Sequence, residues 1–152
     1  MAEVMTYESL VRDVVASEAP EELEHLGDVA DMYVRNPASV DVGPGHGDEA
    51  AGFGAGELVV VLTPLLYAVL NDLAAGAAKE GALSVWGRLR ARRARRRAAV
   101  PAAHPSERVA VYSPEEILWA QADLTQRLVA HGRPAREAAA AADRLGSLLG
   151  DL

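Results

Sequence analysis

Residues 58–97 read LVVVLTPLLYAVLNDLAAGAAKEGALSVWGRLRARRARRR, and this stretch decides the fold. It begins with an uncharged apolar run, continues through small residues, and ends with seven arginines in its last ten positions. Thr63 is a competent N-cap, and Pro64 suits the first helical position because its missing N–H would have no intrahelical partner there. The pattern therefore predicts one long helix from Pro64 to about Arg97, hydrophobic at its start and basic at its end.

The apolar half of this predicted helix can lie in a protein core or in a membrane. A transmembrane helix needs about 20 mostly apolar residues, whereas the uncharged run has 13 and extends further only by including Asn71 and Asp72. Burial of an aspartate near the centre of a bilayer costs about 2.5–3.5 kcal/mol. An arginine cluster after an apolar segment, with Trp86 at the boundary, is nevertheless typical of a membrane anchor. A soluble core helix is the favoured interpretation, and insertion of residues 58–78 is the alternative.

Charge is distributed unevenly along the chain. Residues 1–57 contain 13 acids and 2 arginines, for a net charge of −11. Residues 58–112 contain 9 bases and 3 acids, for a net charge of +6, and residues 113–152 have a net charge of −2. We therefore expect the arginine tract to seek an acidic surface, which the first third of this chain or of a neighbouring copy can supply.

The composition predicts a single all-helical chain. Half of the residues are hydrophobic and only 5% are aromatic, and the abundant alanine fills helices at little cost. The absence of cysteine excludes disulfides and thiolate metal sites. Arginine outnumbers lysine fourteen to one, which indicates the coding bias of a GC-rich bacterial genome. The acidic N-terminus lacks a signal-peptide pattern, so we expect a cytoplasmic protein, with association at the inner face of the membrane as the alternative.

Helix start and stop signals place the remaining elements. Thr6 is suited to cap a first helix, and Pro20 to open a second one. The acids that follow Pro20 suit the positive N-terminal end of that helix; they are Glu21, Glu22 and Glu24. The sequence SPEE at residues 113–116 is a capping box with proline at the first helical position. Gly132 ends the helix that it starts, and Pro134 opens the last one.

These signals define the predicted architecture, which is all-α. It consists of an acidic N-terminal helical hairpin (1–36), a Gly-rich linker (37–56), a central hydrophobic-to-basic helix (57–98), a connector (99–112) and a C-terminal helical hairpin (113–152).

Enzymatic and cofactor-binding functions find no support in the sequence. The glycine-rich segment lacks the G-K-[ST] sequence of a phosphate-binding loop, and no nucleophile elbow, HExxH motif or paired-carboxylate pattern appears. His46 stands near Asp48 and Glu49, but one histidine in a glycine-rich loop is a poor metal site. We expect a non-enzymatic protein with no metal and no cofactor.

The candidate binding residues follow from the arginine tract and the two tryptophans. We expect Trp119 to project on the polar side of its helix, where it can contact a partner. A protein partner or a second copy of the chain is the first hypothesis, and anionic lipid head groups are the second. Nucleic acid comes third, because base-reading and interleaved aromatic residues are missing. The candidate contact residues are Trp86, Arg88, Arg90, Arg92, Arg93, Arg95, Arg96, Arg97 and Trp119.

Several segments together resemble a known group of proteins. The sequences GFGAGE, LTPLLYAVL, VWGRLRARRARRR and SPEE…HGRP occur in that order over about the last two thirds of the chain. In this combination the chain resembles small actinobacterial helical proteins. The resemblance implies a helical protein of accessory character. Some proteins of this group look like partners of larger multi-component systems, and the resemblance transfers no functional residues.

Overall fold

The computed structural model describes residues 3–40, 60–80 and 85–152. They form six α-helices, namely α1 (Tyr7–Glu18), α2 (Leu26–Arg35), α3 (Leu62–Ala74), α4 (Val85–Arg97), α5 (Pro114–Ala130) and α6 (Ala135–Gly150). Three short 3₁₀ segments lie between them, at Pro20–His25, Pro37–Val40 and Ala77–Glu80. The described ranges contain no β-strand beyond an isolated bridge between Thr6 and Arg108, so the predicted all-α class is confirmed there. Most of the predicted Gly-rich linker, residues 41–56, lies outside these ranges.

Helix α3 is the centre of the core. Every side chain from Leu62 to Leu73 is buried, as expected for a helix that is hydrophobic on all sides. It packs against α1, α2 and α5, and Tyr33 of α2 stacks on Tyr67 with the ring centroids 4.9 Å apart. In the described part of the chain, no helix has both the length and the apolar character needed to span a membrane.

The long helix predicted from Pro64 to Arg97 is wrong, because the chain leaves the helical path at Gly76. This residue has φ of +89°, a left-handed conformation that glycine adopts without the steric strain of a side chain. α3 therefore ends at Ala74, and the basic tract forms the separate helix α4. The start also differs from the prediction, since α3 begins at Leu62 and places Pro64 inside the first turn, where its missing N–H is still tolerated.

The predicted helix caps at the two ends of the chain are confirmed. Thr6 caps α1 in a reciprocal capping box with Ser9. At the start of α5, the Glu116 backbone N–H donates to Ser113 Oγ at 3.2 Å, and the Ser113 N–H donates to the Glu116 carboxylate at 3.2 Å. Gly132, with φ of +87°, lies in the turn between α5 and α6, and these two helices pack closely against each other.

Glu22 caps the buried N-terminus of α3 from a distant part of the chain. Its side chain is 0% exposed, and its carboxylate accepts hydrogen bonds from the Leu62 N–H at 3.0 Å and the Thr63 N–H at 2.9 Å. The Thr63 hydroxyl donates to the same carboxylate at 2.9 Å, and the Arg133 guanidinium lies 3.7 Å from it. The first N–H groups of a helix have no acceptor within the helix. Glu22 supplies an acceptor for two of them here. Glu22 does lie in the first turn of the segment that Pro20 opens, but its contact with the distant N-terminus of α3 was not predicted.

We expect Glu22→Ala to lower the free energy of unfolding by about 2–4 kcal/mol, because two buried N–H groups lose their acceptor. Glu22→Gln keeps one acceptor oxygen and should cost less. Urea unfolding measures both effects. The control is Glu21→Ala, an exposed neighbour that should change stability by about 0.5 kcal/mol or less. Equal effects at the two positions would contradict the capping role.

Candidate functional site

Four charged side chains meet beneath α4. Asp72 of α3 is 2% exposed and Arg95 of α4 is 3% exposed, and the Arg95 guanidinium donates a hydrogen bond to the Asp72 carboxylate. Arg127 of α5 donates to the other Asp72 oxygen at 2.9 Å and to Asp123 at 2.9 Å. Among the described residues, two carboxylates and two guanidinium groups are therefore paired in one network.

Asn71 extends this network to two further parts of the chain. The Tyr33 hydroxyl of α2 donates to Asn71 Oδ1 at 2.9 Å, and the backbone N–H of Ala102 donates to the same oxygen at 2.8 Å. Asn71 and Asp72, which appear in the sequence as an interruption of an apolar run, therefore join α2, α3, α4, α5 and the segment after α4.

Burial shifts the pKa values of both members of the central ion pair. It raises the pKa of Asp72 to about 7, while the positive charge of Arg127 acts in the opposite direction. It lowers the pKa of Arg95 to about 9, and the neighbouring charge of Arg127 adds to this lowering. Both shifts have one origin, because removal from water penalises the charged form of each group. The charges on Asp72 and Arg95 therefore depend on the charged groups that surround them in the network.

The network fixes the orientation of α4. This helix packs against the segments Pro37–Val40 and Ala77–Glu80, and Arg95 ties it to the central helix of the core. Gly87 is also buried, on the same side of α4 as Arg95. Because one side of α4 is held inward by these contacts, the opposite side is directed towards solvent.

The solvent side of α4 combines arginines with two apolar side chains. Trp86 is 73% exposed and Leu89 is 37% exposed, and the arginines beside them are exposed. At 3.6 residues per turn, these positions fall within about 100° of the helix circumference. We call this surface the α4 outer face; it consists of Trp86, Leu89, Arg90, Arg93 and Arg97.

The structure separates the predicted contact residues by their exposure. Arg95 is buried and pairs with Asp72 inside the protein, so it is not available to a partner. The side chain of Arg88 lies outside the described part of the structure. The exposed members of the predicted set are Trp86, Arg90, Arg92, Arg93, Arg96 and Arg97.

The prediction that Trp119 projects on the polar side of its helix is wrong. Its side chain is 8% exposed, and it lies one helical turn before Asp123, which is 1% exposed. A charged residue one turn from Trp119 suggests a solvent-facing side of the helix, but Asp123 is buried and pairs with Arg127. The Trp119 Nε1 atom has no hydrogen-bond partner among the described residues.

A cavity of about 300 Å³ lies between α4, the end of α3 and the segment that follows α4. Asn71, Asp72, Arg90 and Arg95 contribute its polar side chains. The Asp72 carboxylate in its wall accepts hydrogen bonds from Arg95 and Arg127. Within the described ranges, no group of three or more His, Asp or Glu side chains is arranged to hold a metal ion.

Comparisons with protein families, with curated proteins and with solved structures found no match. Among the described surfaces, the α4 outer face combines exposed arginines with Trp86 and Leu89.

We expect Asp72→Leu to lower the free energy of unfolding by about 3–5 kcal/mol, because Arg95 then remains buried without its carboxylate. Adding Arg95→Met should recover a large part of this loss, since Arg127 and Asp123 remain as a neutral pair. Urea unfolding of the single and double variants measures the coupling energy. Arg93→Met, a change of an exposed arginine on the same helix, is the control. Additive effects of the two core changes would contradict the network.

Proposed function

We propose that this chain is a non-enzymatic helical accessory protein that binds an acidic surface of a protein partner through the α4 outer face. One observation supports this proposal above the others. α4 is held to the core by a buried arginine, Arg95, while Trp86 and the arginines of the outer face remain exposed. A rigid helix that presents an aromatic side chain among arginines has the composition of a binding hot spot.

The chemistry of the outer face favours a protein over a lipid surface. An interfacial helix buries an apolar face along its length, whereas the two apolar residues of the outer face, Trp86 and Leu89, both belong to the first turns of α4. Arginine, in contrast, pairs with carboxylates through two parallel hydrogen bonds. An acidic protein surface with a small apolar depression therefore fits the outer face better.

The alternative in which residues 58–78 insert into a membrane conflicts with the packing of α3. The described part of that range is buried from Val60 to Leu73, and its contacts with α1, α2 and α5 form the core. Insertion would require these helices to separate. The membrane hypothesis that we test below is therefore attachment of α4 alone to a lipid surface.

Nucleic acid is a weaker candidate for the same surface. Closely spaced arginines can contact phosphates, but reading bases requires amide or hydroxyl side chains, and binding of single strands requires several aromatic platforms. The α4 outer face has one aromatic residue, Trp86, and no amide or hydroxyl side chain.

Binding of a fluorescein-labelled poly-glutamate peptide, followed by anisotropy at low salt, tests the proposal. We expect the variant with Arg90→Gln, Arg93→Gln and Arg97→Gln to bind about 5- to 150-fold more weakly, because each of the three lost pairs removes about 0.3 to 1 kcal/mol. Trp86→Ala should also weaken binding, since the indole ring supplies apolar contact.

The matched control removes three exposed arginines elsewhere, by Arg108→Gln, Arg136→Gln and Arg144→Gln. It changes the net charge equally and should leave peptide binding nearly unchanged. Equal weakening by both triple variants would show that net charge alone is responsible and would overturn the assignment to α4. Parallel titrations use duplex DNA, phosphatidylcholine vesicles and vesicles that also contain phosphatidylserine. Tighter α4-dependent binding to DNA or to the anionic vesicles than to the peptide would replace the protein partner by that ligand.

A further inference from the structure

The protein carries an acidic surface as well as a basic one. Residues Glu21 and Glu24 of the segment Pro20–His25 and Asp28 and Asp31 of α2 are exposed. Leu23 lies among them and is partly exposed. We call this surface the α2 acidic face; it consists of Glu21, Leu23, Glu24, Asp28 and Asp31.

The opposite side of α2 holds this acidic face in place. Its buried residues Leu26, Val29, Ala30 and Tyr33 pack into the core, and Tyr33 is tied to Asn71 by a hydrogen bond of 2.9 Å. The α2 acidic face and the α4 outer face are therefore both carried by helices that the same core network anchors. Each face is presented to solvent by the packing of its opposite side.

The two faces are complementary in charge and in their apolar content. One presents four carboxylates together with Leu23, and the other presents three arginines together with Trp86 and Leu89. Within the described ranges, no ion pair joins the carboxylates of Asp28 and Asp31 to the arginines of the α4 outer face. Both faces are therefore available for contacts between molecules.

We propose that the acidic partner of the α4 outer face is the α2 acidic face of a second copy of this chain. This inference rests on the proposed function and names its partner. Because two different faces meet, the contact is heterologous, and an open assembly keeps one unused acidic face at one end and one unused basic face at the other. Such contacts build open chains or closed rings. They should weaken with salt, because the Debye length falls from about 10 Å at 0.1 M to about 3 Å at 1 M.

Sedimentation velocity of two complementary variants tests this arrangement. The first carries Arg90→Gln, Arg93→Gln and Arg97→Gln, and the second carries Glu24→Gln, Asp28→Asn and Asp31→Asn. We expect the unmodified chain to form species larger than a dimer as its concentration rises at low salt. Each variant alone should remain monomeric.

A mixture of the two variants discriminates more sharply than either alone. The first variant keeps only the acidic face and the second keeps only the basic face, so the mixture should form a one-to-one dimer and no larger species. A control chain with Glu115→Gln, Asp143→Asn and Asp151→Asn, all exposed elsewhere, should assemble like the unmodified chain. Thermal unfolding verifies that every variant is folded.

The possible outcomes separate this inference from the proposed function. If the unmodified chain stays monomeric from micromolar to millimolar concentration but binds the poly-glutamate peptide through α4, the second copy is not the partner and the proposed function stands. If it neither assembles nor binds the peptide, both proposals fail. Assembly that survives in both variants, or that the control abolishes equally, would assign self-association to another surface and overturn the inference.

Discussion

The buried ion pair between Asp72 and Arg95 is the interaction on which the arrangement of the helices depends. Neither group can be placed in the interior alone, because an isolated buried charge is strongly unfavourable. Arg127, which is partly exposed, pairs with Asp72 and with the buried Asp123, so each of the three buried charges lies beside an opposite one. A buried ion pair adds little net stability compared with apolar packing, but it accepts few alternative geometries. Its main effect here is to define where α4 lies and which side of α4 faces the core.

The same pair determines the chemistry of the surface. Arg95 turns inward, and the neighbouring arginines, separated from it by helical geometry, turn outward with Trp86. An arginine tract on a helix that could rotate would present its charges in many directions. Held by Arg95, the helix presents one face of defined composition, so the proposed contacts with an acidic partner begin from a surface that is already organised.

Local signals in the sequence predicted local structure well. The capping residues Thr6 and Ser113 were identified because a cap depends on residues within one turn. The all-α class was predicted from composition, because the chain is rich in alanine and poor in aromatic residues. The break at Gly76 was missed because a glycine inside a helical pattern only weakens a helix, and the pattern does not show which glycine takes a left-handed conformation. The roles of Glu22 and Asp72 require partners 23 or more residues away. For Asp72, the sequence offers one signal, which is the polar pair Asn71–Asp72 next to an apolar run. This pair suggests buried polar contacts but does not show which residues supply them.

The capping of α3 by Glu22 also bears on how the chain folds. The acceptor and the N–H groups are 40 residues apart in sequence, so the first turn of the central helix gains its cap only after a long loop has closed. Loop closure is entropically unfavourable, although the penalty grows slowly with length. The native first turn of the central helix is therefore complete only once the segment that carries Glu22 has docked on it. The strongly hydrophobic sequence of α3 does not supply this cap by itself.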